Sequence, residues 1–165
     1  MKNTILLSLI LLATPIFAQQ DSDDQIIGIN ELRLNVPATL ASFPEITYER
    51  ILNDESAIGL SFGISANNNI DYDFLAVPFY RLYFGNKRAA GFFVEPNAAI
   101  FSEERNDEVV GSEIGVGIGL AVGGKFLTRK GWVAELLLGA GRNFLNTDYI
   151  SEAYPRIGVS IGKRF

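Results

Sequence analysis

The residues with chemistry to offer are Glu31, Arg33, Glu45, Glu49, Arg81, Glu95, Glu135 and Arg156. All eight fall on the polar side of stretches in which residue character alternates with period two, the spacing of a β-strand. Carboxylates and guanidinium groups gathered in a small space can do two kinds of thing. They can neutralise one another, because a buried charge must pair and arginine offers carboxylates a two-pronged donor. Or they can form a proton or ion path, or a paired-carboxylate catalytic site. The first reading is favoured: several carboxylates with no histidine and no metal motif do not specify an acid and a base.

What the chain lacks narrows the chemistry further. It contains no histidine and no cysteine. A histidine-dependent nucleophile is thereby excluded, serine alone has no evident activator, and metal sites lose their commonest side-chain ligand. The acidic stretch Glu103-Glu104-Arg105-Asn106-Asp107-Glu108 offers oxygen ligands without calcium-loop spacing, and reads as a solvated loop. The repeat GVGIGLAVGG beginning at Gly115 lies inside a strand pattern rather than between a strand and a helix, so it is not a nucleotide loop. No catalytic residue, no cofactor and no metal is expected. A net charge of −5 is not that of a nucleic-acid binder.

Eight strand-like segments must position the charged residues. The purest are Ile58 to Ile64, Ile114 to Phe126, and the last, in which Ile157, Val159 and Ile161 alternate with Gly158, Ser160 and Gly162. Five more are Glu31 to Val36, Pro44 to Leu52, Tyr72 to Phe84, Phe92 to Phe101 and Trp132 to Phe144. Tyr72 to Phe84 is apolar on both faces in its middle; its end places Tyr80, Leu82 and Phe84 on one face and Arg81 and Tyr83 on the other. The connectors alternate in kind. Residues 53–56, 85–91 and 127–131 are turn-like, while 38–43, 66–71, 102–113 and 145–152 are expected to be outer loops.

The two faces differ in volume, and that decides which faces inward. One carries Ile, Leu, Val and Phe; the other carries Gly, Ser, Ala and the charges. An eight-stranded barrel has an interior just wide enough for its side chains. Packing the small and polar set inside fits that lumen, whereas the reverse, a soluble ligand-binding barrel, would leave a glycine-rich surface. Phe84, Phe92, Phe126, Trp132 and Phe165 fall at one end of the strands, and Phe43, Tyr72, Phe74 and Phe144 near the other, as two interfacial belts would. The charges assigned to the apolar face, Arg50, Lys163 and Arg142, lie at strand ends.

Residues 1–18 read as an export signal: Lys2, then an apolar run from Ile5 to Ala13, then Thr14 and Pro15, with a cut expected near Ala18. The run is too short to span a bilayer as a helix, which takes about 20 residues. Residues 19–25, polar and acidic, are expected to be a short periplasmic linker, and 26–165 the barrel, a one-domain length. No lipid-acceptor cysteine follows the signal, so a lipoprotein is not expected.

The chain ends YPRIGVSIGKRF. A last strand with alternating apolar residues and a terminal Phe165 resembles the assembly signal read by the outer-membrane insertion machinery. With the leader, the glycine-rich strand and the strand count, the chain resembles small OmpA/OmpX-type barrels, and in particular the broad outer membrane protein β-barrel group of porin-like proteins. That resemblance implies an all-β fold, an eight-stranded antiparallel up-and-down transmembrane β-barrel in the bacterial outer membrane. It also implies a monomer in contact with outer-membrane lipid, and the insertion machinery as a partner during assembly. The function expected is structural or surface-interacting and non-enzymatic, with specificity in the outer loops; a narrow pore or small-solute transporter is the alternative. Deleting Phe165 is expected to lower the level of assembled barrel in outer-membrane fractions far more than deleting Gln19 to Asp23; equal levels would refute the proposed signal.

Overall fold

A computed structural model describes residues 28–67, 70–105 and 111–165; the expected leader, the linker and part of the acidic loop lie outside them. The eight segments form eight strands: β1 (Asn30–Asn35), β2 (Glu45–Ile51), β3 (Ser56–Ile64), β4 (Tyr72–Phe84), β5 (Gly91–Glu104), β6 (Ser112–Leu127), β7 (Trp132–Asn143) and β8 (Ala153–Arg164). Each is antiparallel to its neighbours in sequence, and β1 also pairs with β8, so the sheet closes on itself in simple up-and-down order. Closure removes both sheet edges and gives each strand two hydrogen-bonded neighbours. The three turns 52–55, 85–90 and 128–131 gather at one end, here the turn end, and the four longer connections at the other, the loop end.

The barrel is apolar outside. Leu60, Phe62 and Ile118 are 45, 47 and 63 % exposed and point away from the axis. A soluble barrel would turn these side chains inward; here the inner face carries the charged residues together with a smaller set of apolar and aromatic ones. Alternation fixes this polarity strand by strand: in β2, Glu45, Thr47, Glu49 and Ile51 are buried while Ile46, Tyr48 and Arg50 are exposed. In β4 the assignment of Arg81 and Tyr83 inward, against Tyr80, Leu82 and Phe84 outward, holds.

Glycines on the inner face let large inner side chains lie flat. The Phe79 ring covers Gly59, Phe101 covers Gly115, Phe93 covers Gly123, and Tyr154 covers Gly117 and Gly141; a Cβ at any of these positions would overlap the ring. The space beside the inward glycines is thus occupied, with Asn97 and the Tyr154 hydroxyl closing over Gly119.

The structure departs from the sequence reading near the loop end. A five-residue helix, α1 (Val36–Leu40), begins where Val36 was expected to finish a strand, because Pro37 can start a helix but cannot donate to a ladder. β5 and β6 run further than read, to Glu104 and from Ser112. Two of the four aromatic residues expected in the loop-end belt turn inward. Phe43 covers Gly63, and a register shift between Tyr72 and Phe74 brings Tyr72 against Phe101, with ring centroids 5.4 Å apart. Phe144 is exposed as expected. The ring-over-glycine packing makes a direct prediction. Gly141→Val should destabilise the barrel by about 1–3 kcal/mol in urea unfolding followed by tryptophan fluorescence, and Gly124→Val, whose Cβ would meet nothing nearer than 4.0 Å, by clearly less.

Candidate functional site: the charged barrel interior

All eight sequence-selected residues are buried inside the barrel, at 6 % exposure or less. Each reaches the axis because it sits opposite an outward apolar residue on its strand. Glu31 and Arg33 come from β1, Glu45 and Glu49 from β2, Arg81 from β4, Glu95 from β5, Glu135 from β7 and Arg156 from β8. Sequence reading missed two partners: Lys125 of β6 and Arg164 of β8 are each 2 % exposed. The signal for both was available in the alternation. Lys125 precedes the outward Phe126, and Arg164 lies between the outward Lys163 and Phe165.

These ten residues, five carboxylates and five cations, form one chain of contacts along the axis. At the turn end the Arg164 guanidinium contacts Glu31 at 2.5 Å and donates to the backbone carbonyls of Arg88 and Ala89 at 2.9 and 2.8 Å. Glu31 also receives Arg33, and Lys125 at 2.7 Å. Glu49 is the hub of the middle. It accepts from Lys125 at 2.6 Å, from Arg33 and Arg81 at 2.8 Å each, and from the Tyr83 hydroxyl at 2.6 Å. Arg81 continues the chain to Glu135 at 2.5 Å and Glu95 at 2.6 Å. Its guanidinium carbon lies 4.5 and 4.2 Å from the centroids of Phe79 and Phe93, so it is also held between two rings. Arg156 then joins Glu95 at 2.9 Å to Glu45 at 2.7 Å and donates to Ser61 Oγ at 2.9 Å. Asn35 donates to Glu45 at 2.7 Å. With Ser61 from β3, every strand contributes a member.

Both ends of this column are covered. At the turn end the 85–90 turn folds in: Ala89 and Ala90 are buried, and the Ala89 amide donates to the Asp54 carbonyl at 2.7 Å. Ala89 has a positive φ of 42°, an unfavourable conformation for a side-chain-bearing residue; it belongs to one buried apolar cluster with Ile51, Tyr83 and Phe93. At the loop end Ile150 is buried among Leu75, Val77, Phe101 and Tyr154, and the Ser151 hydroxyl donates to Glu103 at 2.5 Å. Among the described residues no cluster of His, Cys, Asp or Glu has the arrangement of a metal site.

What this arrangement can do chemically follows from its saturation. Nearly every carboxylate oxygen in the column already accepts from a cation, so the charges of these groups balance one another. Fold and interior together define a closed eight-stranded antiparallel barrel with an apolar exterior and a charge-paired core. The chain shares this fold with the N-terminal β-barrel domain of Pseudomonas aeruginosa OprF, known from a crystal structure. The two superpose with a TM-score of 0.62 at 15 % identity, over 82 % of this chain and 96 % of that one. The likeness is one of fold, a closed eight-stranded up-and-down barrel. No family model matches the chain, and no curated protein matches its sequence.

Arg81 touches three carboxylates, and its loss would leave them buried with fewer cations. Arg81→Met is expected to cost about 3–5 kcal/mol, the usual effect of orphaning one side of a buried ion pair. Adding Glu135→Met should recover part of that loss in a double-mutant cycle of unfolding in detergent micelles. Independent, additive effects would mean that the two residues are not coupled.

Proposed function

We propose that the protein is an integral barrel of the bacterial outer membrane with a non-enzymatic structural or surface-interaction role, its specificity carried by the loop end. The observation that carries this reading is the combination of an apolar outer wall with an interior filled by a neutral network drawn from all eight strands. An apolar exterior on a closed sheet suits a bilayer, in which every backbone group must be satisfied within the fold. A filled interior leaves the two rims as the surfaces where selective contacts can form. The aromatic side chains at the turn end, with Phe84, Phe92, Phe126, Trp132 and Phe165 all more than half exposed, suit the interface on the periplasmic side.

The same filling argues against the pore alternative. Moving a hydrated ion through the column requires separating Arg81 or Lys125 from its carboxylates, and an uncompensated buried charge costs several kcal/mol. The purified protein is therefore expected to give no reproducible single-channel steps in planar bilayers. Steps abolished by Arg81→Glu would replace the plugged reading with a conducting one. The membrane reading itself is tested by folding the protein into phosphatidylcholine vesicles. A folded barrel should resist SDS and shift in gel migration only after boiling, and identical migration of a folded sample with and without boiling would count against it.

A further inference from the structure

The charge on the two rims is segregated. Among the described residues, the exposed cations at the turn end are Arg50, Lys87, Arg129, Lys130 and Lys163, with Arg88 partly exposed, against Asp54 and Glu55. Arg88 lies 3.3 Å from Asp54, so one of those two carboxylates is already engaged. At the loop end the balance among the described residues reverses: Asp71, Asp73, Glu104, Glu113, Asp148 and Glu152 stand against Arg105 and Arg142. The internal column is neutral, so it does not mask this difference.

The turn-end cations are concentrated on one sector of the wall. Arg129 and Lys130 lie in the turn that enters β7, Lys163 lies on β8, and Arg50 on β2, two strands further round. Among the described residues, the side chains between them are aromatic and amide rather than acidic. Lys163 Nζ lies 5.2 Å from the Trp132 ring centroid and donates to the Lys130 carbonyl at 2.5 Å. The Tyr48 hydroxyl donates to Asn30 Oδ1 at 2.7 Å, and Asn30 is the strand partner of Arg50. Neither Arg50 nor Lys163 has an ion pair with a described residue. Just inward of them the wall is apolar, with Leu32, Leu60 and Ile161 exposed.

We propose that this sector, from the β6–β7 turn across β8 and β1 to Arg50, is a docking surface for anionic phospholipid headgroups. The proposal rests on the membrane reading above. Cations over an aromatic belt, with apolar wall beneath, match a phosphate whose acyl chains run along the barrel. A zwitterionic headgroup brings an ammonium group into the same run of cations, whereas phosphatidylglycerol does not. Selectivity for the anionic headgroup follows from charge alone.

The test uses the full barrel folded into phosphatidylcholine vesicles, with a small proportion of spin-labelled phosphatidylglycerol or spin-labelled phosphatidylcholine as probe. The motionally restricted fraction of each probe reports its association with the protein wall. Wild-type protein should hold phosphatidylglycerol about threefold to fivefold more strongly than phosphatidylcholine, and added salt should reduce that ratio. In the double variant Arg50→Gln/Lys163→Gln the ratio should fall most of the way to one. Arg50→Lys/Lys163→Arg should keep it, and Arg142→Gln, at the opposite rim, should leave most of it. A heat-shifted, folded barrel that shows no preference, or that loses it equally with Arg142→Gln, would overturn the docking surface while leaving the membrane reading intact. Failure of the protein to give a heat-shifted band in these vesicles would overturn the membrane reading, and the docking surface with it.

Discussion

The constraint on which the rest of the structure depends is the width of an eight-stranded barrel. Eight strands enclose a space that side chains must fill, and here the side chains that fill it are charged. Ten charged groups cannot occupy a narrow, buried column unless each finds its opposite. Five carboxylates meet five cations, and Glu49 and Arg81 each serve several partners. Large aromatic rings share the same space only because glycines on the facing strands let them lie against the backbone. Volume and charge are therefore balanced together.

That balance ties the ends of the chain to each other. Glu31, close to the start of β1, is bound by Arg164 at the end of β8, while β1 and β8 pair along their backbones to close the sheet. The column includes a residue from every strand, so it can be complete only when the barrel is. A network of this kind favours a single register: shifting one strand by one residue would turn its charges onto the apolar wall. The net contribution of buried ion pairs to stability is small once desolvation is counted, whereas a charge displaced from its partner is costly.

The rims behave differently from the column because no such constraint acts on them. The loop end can carry a five-residue helix, an inward Phe43 and a buried Ile150 without disturbing the strands below. The turn end is tighter. The 85–90 turn is drawn into the mouth by hydrogen bonds from Arg164, at the cost of a left-handed Ala89. Segregation of charge between the two rims then gives the barrel a polarity along its axis that its neutral interior lacks.

Much of this was legible in the sequence because a strand's pleat is a local property. Successive side chains point to opposite faces whatever the rest of the chain does, so Ile58 to Ile64, Glu45 to Ile51 and the inward set of eight charges could be read without coordinates. Lys125 and Arg164 lay within reach of the same rule. Other features depended on what strands far apart in sequence place opposite one another. That Arg81 meets Glu49, Glu95 and Glu135 at once, that Phe101 covers Gly115, and that Arg164 reaches Glu31 are consequences of register and closure. So is the inward turn of Tyr72, which follows a register shift between β4 and β5. Alternation determines which face each residue occupies; only the closed barrel determines which partner it meets there, because partners are set by the stagger of eight strands around one axis.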